Sequence, residues 1–185
     1  MRTHRLWLAR AGLTLGVAAL TFVSLAVADE VAKKPAVPAP QKVISQPFLE
    51  SLVGSWTTES TGMYEGKEVR GTGKATFAKG IGDTALLQTY QSTGPAPDGT
   101  TMTYHGHGVY KASEDGKLVT VWWFCNMSPD VMKLSGSLTD SGLQVSGTSP
   151  TGGRFELSAQ KSPDGLSYKI SEDGSEMKET YKRAD

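Results

Sequence analysis

From Gly54 to the end of the chain, turn residues recur at short intervals, and no stretch between them carries the periodicity of an amphipathic helix of normal length. Asp98-Gly99, Asp115-Gly116, Asp164-Gly165 and Asp173-Gly174 supply the positive φ that tight hairpins need. Gly80 to Asp83, Asp140 to Gly142 and Pro150 to Gly153 punctuate in the same way. The β-prone runs between them cover residues 54–62, 67–79, 84–92, 101–111, 117–126, 132–139, 142–149, 153–161, 166–172 and 175–183, about ten strands in all.

Several runs alternate cleanly. Leu166, Tyr168 and Ile170 oppose Ser167, Lys169 and Ser171, and Phe155, Leu157 and Ala159 oppose Arg154, Glu156 and Ser158. Such a strand is buried on one side and wet on the other. Successive hairpins of this kind form a meander, which loses its exposed edges by closing into a barrel; an open sandwich is the second arrangement that fits. A barrel of about ten strands has a lumen wider than side chains readily fill, with room for one small ligand. The fold class expected is therefore all-β, a single antiparallel meander barrel.

The run 117–126 breaks the pattern, because Val119, Val121 and Trp123 on one face and Leu118, Trp122 and Phe124 on the other are nearly all apolar. The outer face then needs a cover, from the N-terminal segment or from a second copy of the chain. Alternation alone does not say which face is inside.

Ahead of the first run, Phe48, Leu49, Leu52 and Val53 recur at helical spacing over barely two turns. So short a helix is stable only when its apolar face is buried, and a barrel mouth is the natural cover. Pro47 to Trp56 thus reads as a helical plug ended by Gly54 and running into the first strand.

Earlier still, Arg2, Arg5 and Arg10 precede an uncharged stretch from Ala11 to Ala28 that ends Ala26-Val27-Ala28. This reads as a secretory signal over 1–28, cleaved after Ala28, with an uncleaved anchor as the alternative. Residues 29–46, with Lys33-Lys34, Pro35, Pro38 and Pro40 among small residues, read as a tether, and 47–185 as the barrel domain. The expected location is periplasmic or secreted, with no stable membrane anchor after cleavage. Residues 1–28 hold three of the 19 basic and none of the 19 acidic residues, so the remainder has 16 against 19, a net charge of −3. A mildly acidic chain without a basic cluster gives no reason to expect nucleic acid as partner. Cys125 is the single cysteine, which rules out an intrachain disulfide.

Past the signal the histidines are His105 and His107, two apart on a strand and so on one face. A His-x-His pair is the weak metal candidate of this chain, but further ligands are missing, and Met102, Tyr104 and Tyr110 on the opposite face suit the interior better. Cys125, at the end of the most apolar run, reads as a small buried hydrophobe with no imidazole assigned to activate it. No catalytic residue and no cofactor is expected. Tyr90, Tyr104, Tyr110, Trp122 and Trp123 are the candidates to line a ligand pocket, each with an apolar body and a polar tip.

Phe48 to Trp56, Gly106-His107-Gly108-Val109-Tyr110, Val121-Trp122-Trp123-Phe124 before Ser128-Pro129, and Met177 to Arg183 together resemble the landmarks of a bacterial family of unknown function, DUF1579. The likeness runs over 47–183 and implies a lipocalin-like barrel close to the calycins and the nitrobindin-like ten-stranded barrels. In such barrels a terminal arginine packs across the indole of the Gly-x-Trp entry, which implies that Arg183 closes the barrel on Trp56. Nitrobindin-like proteins ligate haem through a late histidine, and no histidine follows His107 here.

The function expected is that of an exported, non-enzymatic barrel binding a small apolar or amphipathic molecule. Two alternatives are a haem- or metal-binding barrel using His105 and His107, and a structural or interaction module, dimeric through the 117–126 strand.

Overall fold

A computed structural model describes residues 45–184 apart from 65–66 and 97–98. The expected signal segment and nearly all of the tether lie outside the described residues. One short helix, α1 (Pro47–Leu52), is followed by ten strands: β1 (Gly54–Tyr64), β2 (Lys67–Gly80), β3 (Ala85–Pro95), β4 (Thr101–Ala112), β5 (Leu118–Cys125), β6 (Ser128–Leu138), β7 (Gly142–Thr148), β8 (Arg154–Ser162), β9 (Gly165–Glu172) and β10 (Ser175–Arg183). Every strand pairs antiparallel with its neighbour in sequence, and β1 pairs with β10, so the sheet closes on itself. The barrel is thus an all-β meander with a short helix. Among the described residues, no helix is long and apolar enough to cross a membrane.

Alternation sets the two faces. Trp56 and Thr58 on β1, Ala75 and Phe77 on β2, Leu86 and Tyr90 on β3, Tyr168 on β9 and Tyr181 on β10 are buried, whereas the residues between them on the strands are largely exposed. On β5 the inner set is Val119, Val121 and Trp123; Leu118 and Phe124, 58% and 43% exposed, look outward. The sixth strand begins at Ser128, four residues before the alternating signal starts. A register shift between Trp123 and Cys125 lets Cys125 pair with Ser128 across a tight turn, and an irregularity of this kind accommodates Pro129 near a strand end.

α1 closes one end. Pro47 occupies its first turn, where a missing N–H costs nothing, and Gln46 caps it by accepting from the Leu49 N–H at 3.0 Å. The Gln46 amide also donates to the Thr139 carbonyl at 2.7 Å, so this buried residue belongs to the fold and the tether ends before it. Phe48, Leu49 and Leu52 are 0% exposed and join one core with the inward residues Leu138, Leu143, Ala159 and Leu166.

Candidate functional site

The closed end is fastened by two residues from opposite ends of the domain. Trp56 and Arg183 are directly paired across β1 and β10, with Trp56 buried and Arg183 exposed beside the end of α1. The indole donates to the Leu52 carbonyl at 2.8 Å, and the guanidinium lies 4.1 Å from the indole centroid. Arg183 also donates through Nη1 to the Val53 carbonyl at 2.6 Å and through Nη2 to the Ser51 carbonyl at 2.7 Å. These carbonyls sit at the C-terminal end of α1, where orphan acceptors need partners. The arginine thus joins the last strand to the plug.

Beyond this floor the lumen is not filled. A cavity of about 470 Å³ runs toward the other end, with Met63, Pro95, Met102, Phe155 and Glu172 among its lining residues. The volume lies within the range of small-molecule sites. Small residues of β1 and β2, Ser60, Gly62 and Gly71, line it together with the aromatic side chains of β3 to β5.

Of the five aromatic residues expected in the pocket, Tyr90, Tyr104, Tyr110 and Trp123 line the cavity. Trp122 does not. It shares the outer face of β5 with Leu118 and Phe124, because the lumen takes the Val119–Val121–Trp123 set. Trp123 donates to the Tyr104 hydroxyl at 2.6 Å, and the Tyr90 ring meets Tyr104 edge-on at 5.9 Å between centroids. A Cβ on Gly106 would come within 2.2 Å of the Trp123 ring, so glycine on β4 is what lets the indole lie close against the barrel wall.

The polar content of the lumen centres on a residue that the aromatic pattern does not reveal. Glu179 on β10 is 4% exposed and lines the cavity. Tyr90 donates to its Oε1 at 2.7 Å and Tyr181 to its Oε2 at 3.0 Å. Burial pushes the carboxyl above its usual range, against the opposing pull of these two hydrogen bonds. Burial likewise raises Tyr90, Tyr104, Tyr110, Tyr168 and Tyr181, which keeps all five phenols neutral. Tyr110 donates to Gln88 at 2.5 Å. Tyr168 stands directly across the ladder from Glu179 and stacks on Tyr181 at 4.4 Å, and its buried hydroxyl has no hydrogen-bond partner.

A sequence signal for Glu179 does exist. Met177, Glu179, Tyr181 and Arg183 share one face by period two, so an arginine that packs on the inward-facing Trp56 places the glutamate on the inner face as well. The same parity puts Gln88 inside between Leu86 and Tyr90.

His105 and His107 are exposed on the outer face of β4, and among the described residues no group of three His, Cys, Asp or Glu side chains could hold a metal. Cys125 is half-buried.

No family model and no curated protein matches the chain. Among solved structures, the crystal structure of Rv2717c from M. tuberculosis is similar at a TM-score of 0.55 and 19% identity, over 74% of this chain and 95% of that one. At that identity the likeness concerns the fold alone.

Proposed function

We propose that the protein binds a small apolar or amphipathic molecule inside the barrel and acts by binding, without turnover. The observation that carries this reading is the cavity of about 470 Å³, closed at one end by α1 and walled by aromatic and aliphatic side chains. A few polar groups at its inner end, Glu179, Gln88 and the tyrosine hydroxyls, give it the apolar-body, polar-tip character of small-molecule sites. The resemblance to DUF1579 and the lipocalin-like barrels agrees with this reading, and the signal-like pattern of residues 1–28 supports export.

Calorimetric titration with decanol, a neutral amphipath, tests the proposal. We expect saturable one-to-one uptake by the wild type and its loss in Ser92→Trp, which projects an indole from β3 into the cavity. No uptake by a folded wild type would refute it.

A second reading rests on the outer face of β5. Leu118 and Phe124, with Met127 and Val131 near the following turn, are 43–58% exposed. Apolar area of this kind is what a self-associating surface presents. Light scattering of the wild type and of Phe124→Ser distinguishes a dimer through this face from a monomer.

A further inference from the structure

Glu179 is a carboxylate placed deep in an apolar lumen with no ion-pair partner among the described residues. A side chain that served only to fill space or to hold Tyr90 and Tyr181 would not need a charge, since burying an unpaired carboxylate is costly. The groups that face it are neutral on every side: Tyr90 from β3, Tyr110 from β4, Tyr168 from β9 and Tyr181 from its own strand. The cation among the lining residues, Arg70, is largely exposed and is held by Glu68 at 2.7 Å. The Tyr168 hydroxyl beside Glu179 is buried and unpartnered, so a second polar group in the same place lacks what it needs.

A buried carboxylate that accepts from the Tyr90 and Tyr181 hydroxyls and has no cation beside it is the environment that an organic ammonium group seeks. The ammonium donates to the carboxylate, and the phenol oxygens can accept its remaining protons. An anionic head group would instead meet Glu179 as a like charge. We propose that the lumen selects a monocationic amphipath, an amine whose ammonium group meets Glu179 and whose apolar body lies along Val121, Met132, Leu134 and Leu157 toward the open end. The inference rests on the reading of the cavity as a ligand site.

Proton linkage follows. Burial favours the protonated form of Glu179 in the empty barrel, and a cation beside it favours the ionised form, so binding expels a proton wherever the empty site still holds one. Affinity for an amine therefore rises with pH through the raised Glu179 pKa. Affinity for a neutral alcohol does not.

Isothermal titration of the full chain with decylamine, decanol and decanoate, at about pH 8 and about pH 5, tests the selectivity against the proton linkage. At the higher pH the amine is expected to bind about tenfold or more tighter than the alcohol, with decanoate weakest. In Glu179→Gln, decanol binding persists and the amine falls to the level of the alcohol. Equal affinity of amine and alcohol in the wild type, or an amine preference that survives Glu179→Gln, overturns the selectivity and leaves the ligand site standing. Failure of all three to bind refutes the site itself, and the selectivity with it. Should Glu179→Gln not fold, proton release by the wild type decides: amine titrations in two buffers of different ionisation enthalpy must differ if Glu179 ionises on binding, and identical heats at both pH values overturn the proposal.

Discussion

At the closed end of the barrel, the strong polar groups of the closure have partners of the right kind. The Trp56 N–H reaches the Leu52 carbonyl, and the Arg183 fork reaches two carbonyls of the plug and the indole face. Farther in, the same strands carry Glu179 without a cation and Tyr168 without a partner, beside a cavity. The two regions share strands β1, β9 and β10, so the contrast is not one of secondary structure. It lies in which side chains the alternation delivers inward: bulky and mutually satisfied under α1, small on one wall and polar at the centre beyond it. Packing of the first kind stabilises a fold. The second kind costs stability and is retained where a protein binds something.

The open end adds a third environment. Glu176, another lining carboxylate, has a hydrogen bond from Lys169 at 2.6 Å and is held below the usual carboxylate range by it. Three residues along the same strand, Glu179 is shifted the opposite way by burial. Solvent and a lysine are available to the first and not to the second.

The sharpest way to break the contrast is to remove the closure. Trp56→Ala deletes a buried indole together with its hydrogen bond and the ring under Arg183, and should lower unfolding free energy by about 3–5 kcal/mol, read by urea denaturation. If the stability loss is under about 1 kcal/mol, the Trp56–Arg183 contact is not the closure described here.

A smaller effect, opposite in sign, is expected in the lumen. Because the folded-state pKa of Glu179 is raised, the native protein binds more protons than the unfolded chain between the ordinary glutamate pKa and the raised one. Stability from this group is therefore greatest below the ordinary carboxylate range and falls as pH rises through that window. Glu179→Gln should flatten this part of the stability profile and make the variant the more stable protein at neutral pH. Thermal unfolding of both proteins across the window checks it, and parallel profiles would show that Glu179 does not carry the shift.

The smallest effect tests the orphan hydroxyl. Tyr168→Phe removes a buried oxygen that has no partner and keeps the stacking on Tyr181, so stability should hold or rise by up to about 1 kcal/mol, measured by the same denaturation. A loss of more than about 1 kcal/mol would mean that the hydroxyl is satisfied in solution and that the two regions differ less than described.

Much of this architecture was legible because its signals are local. The Asp-Gly turns and the alternation of runs such as 166–172 depend on neighbouring residues alone, and all ten strands fall where those signals place them, within a few residues at their ends. The start of β6 was hidden because Ser128-Pro129-Asp130 has the composition of a turn, and a register shift after Trp123 takes it into the ladder. The pairing of Trp56 with Arg183 came from the resemblance to lipocalin-like barrels and not from spacing. Trp122 was misplaced because a strand apolar on both faces has no parity to read, and only the ladder to β4 and β6 settles which face turns inward.

What the sequence determined by itself is the meander, its plug and the period-two division of each strand into two faces. Which face is inside on β5, the cavity that the small residues of β1 and β2 help to line, and the meeting of Tyr90 with Glu179 were decided by closure of the barrel. That contact joins residues 89 apart in sequence, through a lumen that exists only once β1 has paired with β10. A carboxylate in an exposed strand and one in a closed barrel look alike as letters. Only the enclosing walls, by removing water, make the charge of the second costly until a partner meets it.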